Sequence, residues 1–159
     1  MKWLDEDGNP RWEQIIVAGH SQGVGNAAFI AKDFFVARAI MYAGPYDRDT
    51  TATVDYKEKL YGEVSWINNA PVTPKNRFYA FYHVKDNYPY AFILEDNYRK
   101  LLGFLPARKL DVDAVEEIVG THRYLYSQKE LHPNQSPHTY PLLERFNSVH
   151  RYLCSHGLD

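Results

Sequence analysis

Cysteine is almost absent from this chain. The one present, Cys154, has no partner for an internal disulfide, and no set of Cys and His has zinc-ligand spacing. No activating pattern surrounds Cys154, so a buried or half-buried thiol in a terminal helix is expected rather than a nucleophile. Long apolar runs are missing too. The longest, residues 27–30 and 34–40, are broken by Lys32, Asp33 and Arg38, far short of the roughly 20 residues that a membrane-spanning helix needs. Charge of one sign is not in excess: 18 basic against 20 acidic residues leave a net charge of −2. Nothing there favours a nucleic-acid partner, which requires a concentrated basic surface. No cofactor motif is present, and no signal peptide is expected, because residues 1–7 turn acidic at once. The compartment stays open.

What is present fits a globular domain. Hydrophobic residues make up 45% and charged residues 24% of 159, enough to bury a core and too apolar for disorder. The chain reads as a single domain, 1–159, without repeats or linkers. Aromatics reach 15%, which suits cores and pockets alike.

Order along the chain carries the fold class. Residues 15–18, Ile-Ile-Val-Ala, predict a strand buried on both faces. Val24, Ala27, Ala28, Ala31, Phe34 and Phe35 then recur at spacings of three and four, the stripe of an amphipathic helix. Residues 36–43 predict a second strand, ending in the turn Gly44-Pro45-Tyr46-Asp47. Residues 46–76 read as a loop, with a short helical piece near 55–61. A third, aromatic strand is expected at 77–83. Pro89 opens a helix that Gly103 stops. Segment 104–120 is mixed and locally acidic (Asp111, Asp113, Glu116, Glu117), which reads as a solvated face. A fourth strand is expected at 121–126, then a Pro-rich loop and a last helix from about Tyr140. The alternation predicts an α/β fold: a mostly parallel sheet of about four strands covered by helices.

The chemistry concentrates in Gly19-His20-Ser21-Gln22-Gly23. Gly-x-Ser-x-Gly alone is a weak signal. Here a buried strand precedes it and an amphipathic helix follows, the context in which such a turn presents a nucleophilic serine. Glycines on both flanks are expected to relieve clashes, and the helix N-terminus, with the N–H of Gln22 first, offers a donor to a developing oxyanion. The bland alternative is a turn whose serine caps the helix. His20 is expected to point away as a packing residue.

A serine hydroxyl needs a base, and the base needs a carboxylate. In the order Ser, acid, His, Asp86 follows the third strand and His138 follows the fourth. Asp47, after the second strand, is the rival acid, and Asp96 or a glutamate remains open. Of seven histidines, His132 is the alternate base. His83 and His122 read as satisfied strand histidines, and His150 and His156 belong to the terminal helix. Tyr82, Tyr88, Tyr90 and Phe92 are candidates for a pocket wall, with core packing as the equal alternative. A phosphate-binding turn on Gly19, Gly23 and Gly25 is disfavoured, since no Lys-Ser/Thr pair follows.

With these residues placed, the stretch 12–28 around Gly-His-Ser-Gln-Gly, together with Gly44-Pro45-Tyr46-Asp47, Asp86 and Pro137-His138, resembles the α/β-hydrolase superfamily, particularly bacterial-type serine esterase- and lipase-like hydrolases. The resemblance covers nearly the whole chain, but only the C-terminal half of the usual fold. It implies a small-molecule ester as substrate, an acyl-serine intermediate, no cofactor, and strands before the nucleophile strand that this chain does not carry. The strand at 15–18 is then expected to expose an edge. Three accounts follow: a piece of a longer product, a degenerate non-catalytic remnant, or a half-domain that self-associates or pairs with another chain.

Overall fold

A computed structural model of the chain describes residues 3–49, 62, 64–87, 91–103 and 109–155. The expected helical piece near 55–61, Tyr88, Pro89, Tyr90 and His156 lie outside the described residues.

Among the described residues five strands form one all-parallel sheet: β1 (Ile16–His20), β2 (Arg38–Tyr42), β3 (Phe78–His83), β4 (Lys109–Asp111) and β5 (Tyr124–Ser127). Their order across the sheet is β1-β2-β3-β5-β4. The fifth strand was not expected. β4 is three residues long inside the acidic segment, too short for any alternation to register. Among the described residues four helices flank the sheet: α1 (Gln22–Asp33), α2 (Ser65–Asn68), α3 (Ala91–Leu102) and α4 (Asn147–Ser155). This is an α/β architecture.

Side chains alternate across each strand, so the sheet feeds two cores. On one face Ala39, Met41, Phe78, Ala80, Tyr82 and Tyr124 meet α1 and α3 through Val24, Ala28, Ala31, Leu94, Tyr98 and Leu101. On the other, Ile40, Tyr79, Phe81 and Leu125 meet Phe146, Val149, Tyr152 and Leu153. The last helix starts seven residues later than Tyr140. Two 3-10 turns, Tyr140–Leu142 and Glu144–Phe146, occupy the gap, because Pro141 lacks an amide and Leu143 is extended at ψ 146°. Arg38 is buried at the foot of β2, over the ring of Tyr79. It donates to the carbonyls of Tyr152 and Leu153, near the negative end of α4.

β1 is one of the two sheet edges among the described residues, and it is not buried on both faces as its composition predicts. Ile16 and Val17 are half-buried and Ala18 is exposed. The ladder to β2 runs through Ile15, Val17, Gly19 and Ser21, so the amides and carbonyls of Ile16, Ala18 and His20 face outward. Two further expectations change. Cys154 is exposed on α4. Asp113 does not merely face solvent: it accepts the Ser127 hydroxyl at 2.6 Å and the N–H groups of Gln128 and Lys129 at 2.9 and 3.0 Å. No helix among the described residues is long and apolar enough to cross a membrane.

Candidate active site

In a parallel sheet every strand ends at the same side. Ser21 follows β1, Tyr46 follows β2, Asp86 follows β3 and His138 follows β5, so four loops converge beyond the carboxyl ends, where ligands of such sheets bind.

The turn at Ser21 is strained. Its φ is 56° and ψ −125°, a conformation costing a non-glycine residue on the order of 1–3 kcal/mol. Neighbours hold it there. Ser21 N–H donates to the Tyr42 carbonyl and Val24 N–H donates to the Ser21 carbonyl, both at 3.0 Å. A Cβ on Gly19 would stand 2.1 Å from the Gly23 carbonyl oxygen, and one on Gly44 would stand 2.6 Å from that of Ser21. Those two positions must be glycine. Gly23 need not be: nothing described lies within 4 Å of its would-be Cβ, which corrects the expectation that both flanking glycines relieve a clash. Although Ser21 sits at the N-cap of α1, its side chain makes no capping bond, so the capping alternative loses its basis. Gln22 opens the helix, and its N–H lies outside the i→i−4 ladder.

Asp86 lies in the 3-10 turn Val84–Asn87 just after β3. Its side chain is 6% exposed, and Oδ1 stands 2.8 Å from Nδ1 of His138. An ionised carboxylate only accepts, so Nδ1 carries the proton and the neutral ring keeps Nε2 as its basic atom. Nε2 has no hydrogen-bond partner among the described residues, and the ring is 34% exposed. Burial pushes the Asp86 carboxyl above the ordinary range, while the bond from His138 pulls it back. Among the described residues no hydrogen bond joins the Ser21 hydroxyl to the imidazole; such bonds often tighten only with substrate in place.

Sequence reasoning missed two neighbours of this pair. His20 does not point away. Its ring lies 4.7 Å from that of His138, and its Nε2 donates to the His138 carbonyl at 2.9 Å, which ties the serine turn to the histidine loop. The Tyr46 hydroxyl reaches Asp86 Oδ2 at 3.2 Å and the Asp86 carbonyl at 3.0 Å. No periodicity marks either role; the one signal was their position, His20 at the last residue of β1 and Tyr46 in the turn after β2.

The rivals lie elsewhere. The Asp47 carboxylate sits against Gly25, where a Cβ would meet Oδ2 at 2.9 Å, and burial raises its pKa. Asp96 pairs with Arg99 at 3.3 Å and Lys100 at 2.7 Å. His132 is exposed in a turn closed by Gln135. His83, His122 and His150 bond to the carbonyls of Lys129, Val119 and Pro141. Tyr82 is core, packed on Tyr98 and Tyr124. A cleft of about 560 Å³ lies away from this site, between Asp111, Asp113, Lys129 and the start of α4. No group of three or more His, Cys, Asp or Glu among the described residues could hold a metal ion.

Comparison with protein-family models, curated proteins and solved structures finds no match to this chain.

Proposed function

We propose that the chain is a serine hydrolase acting on a carboxylic ester, with Ser21 as nucleophile, His138 as base and Asp86 as the acid that orients it. The observation that carries this reading is the 2.8 Å His138–Asp86 bond, on the same sheet end as a serine held at φ 56°. A hydroxyl on a strained turn, free of capping, with an imidazole fixed in one tautomer nearby, is what acyl transfer requires. Ser21 Oγ attacks the ester carbonyl carbon while Nε2 of His138 takes its proton. The alkoxide leaves with that proton, and an acyl-serine remains. A water, deprotonated by the same nitrogen, then attacks the acyl carbon and releases the acid and the free hydroxyl.

Asp86 keeps Nδ1 as donor and stabilises the imidazolium formed at each step. Positioned proton transfer of this kind supplies about 10²–10⁴-fold. The Gln22 N–H gives the oxyanion one donor, and losing such a donor costs on the order of 10²–10³ in rate. An aryl ester with a good leaving group tests the reading: an initial burst of phenolate equal to the enzyme concentration is expected, with the acyl group on the Ser21 peptide by mass spectrometry. A burst of the same size in Ser21→Ala would refute it.

The outward amides and carbonyls of β1 favour a second reading, a non-catalytic half-domain that pairs through this edge with a second copy or another chain. It predicts association in sedimentation velocity and no burst. A monomer that turns over the ester counts against it.

A further inference from the structure

Tyr46 is set with more care than a packing residue needs. The hydroxyl is half-buried behind Asp86, 3.2 Å from Oδ2, the carboxylate oxygen that His138 does not use. The chain on either side of it is pinned from α3. Asn97, 2% exposed, donates its amide to the carbonyls of Pro45 and Asp47, the residues flanking Tyr46, both at 3.1 Å. The next residue of α3, Tyr98, is buried too, and its hydroxyl accepts the Gly44 N–H at 3.3 Å. The ring of Tyr46 also stands 6.4 Å from that of His138. Three hydrogen bonds thus pin the backbone around one residue, whose hydroxyl meets the acid.

We propose that Tyr46 is a positioning residue for the hydrolysis: its hydroxyl, aimed by Asn97 and Tyr98, holds the Asp86 carboxylate so that Oδ1 is presented to His138. This inference rests on the hydrolase reading given above. The hydroxyl has one proton and two acceptors, Oδ2 and the Asp86 carbonyl. An ionised carboxylate is the stronger acceptor, so ionisation draws the proton to Oδ2. Two further groups face the carboxyl. His138 bonds to it, and His20 acts on it through its charge when protonated. Burial works against the anion here, and the Tyr46 bond works for it. Burial and the neighbouring carboxylate both push the Tyr46 phenol upward, so it remains a donor throughout the working range.

Tyr46→Phe removes the hydroxyl and keeps the ring. The inference predicts three results. A thermal melt stays close to that of the unaltered chain. The Asp86 carboxyl, followed by its ¹³Cγ resonance, titrates about one pH unit higher, the size of one charge-assisted bond. The acid limb of the rate of inactivation by a fluorophosphonate moves up with it, while the rate on the plateau above that limb stays close to that of the unaltered chain. An unaltered chain that labels, beside a folded Tyr46→Phe with unmoved Asp86 midpoint and acid limb, overturns the inference alone. An unaltered chain that does not label overturns the hydrolase reading, and this inference with it.

Discussion

At the scale of single residues the glycines separate backbone need from motif. Gly19 faces the Gly23 carbonyl with no room for a methyl group, whereas Gly23 faces open space. Gly19→Ala is expected to destabilise by about 3 kcal/mol or more, since the clash is with backbone that cannot yield. Gly23→Ala, in the first turn of α1, should be neutral or stabilising by up to about 1 kcal/mol. Urea unfolding of the two variants checks this; equal losses would contradict it. The residues of the candidate site were legible to different degrees. Ser21 stood in a short pattern with the right flanks, and Asp86 and His138 stood in the loops after the third and fourth expected strands, so order along the chain made them candidates, with Asp47 and His132 still beside them. Tyr46 and His20 were not legible. Their hydrogen bonds join positions 40 and 118 residues apart, which no local spacing encodes.

Among elements, two buried cations hold the helices to the sheet and its loops. Lys32 of α1 is 7% exposed and donates to the carbonyls of Ile67 and Asn69 at the end of α2. Among the described residues no carboxylate offsets its burial, which lowers its pKa from 10.5 to about 8. The folded chain then sheds this proton before the unfolded chain does. Stability should therefore rise with pH between about 8 and 10.5, and be flat in this contribution below 8. Lys32→Met should remove that rise, as measured by urea midpoints at several pH values; an unchanged slope would refute the assignment. Arg38, at the foot of β2, ties α4 to the sheet. Arg38→Met should cost about 2–4 kcal/mol, because buried carbonyls lose a charged donor. Every strand of four or more residues was foreseen, as was each helix with a full apolar stripe. β4 and the 3-10 turns before α4 were not: three residues carry no period, and Pro141 sits where the helix pattern seemed to begin.

For the whole molecule, the sheet ends on two unlike edges, the three-residue β4 and the five-residue β1. β1 has the uncharged, β-branched composition of a central strand, yet it forms an edge, without the Lys, Pro or bulge that edges commonly carry. That mismatch between composition and place was legible in advance only through the family resemblance, because β1 read alone predicts burial on both faces. The open edge adjoins the serine turn, with exposed Phe34 stacked on Trp12 beside it. Ala18→Lys places a charge on the exposed middle of this strand and should shift any concentration-dependent sedimentation toward the monomer. Sedimentation that stays unchanged would contradict pairing through β1.

The hydrolase reading stands or falls on the reactivity of one hydroxyl. Incubation with a fluorophosphonate, followed by peptide mapping, tests it most directly. One adduct per chain is expected, on Ser21, absent in Ser21→Ala and formed at least about 10³-fold more slowly in His138→Ala. An unaltered chain that takes up no probe, or an adduct that persists in Ser21→Ala, would contradict it.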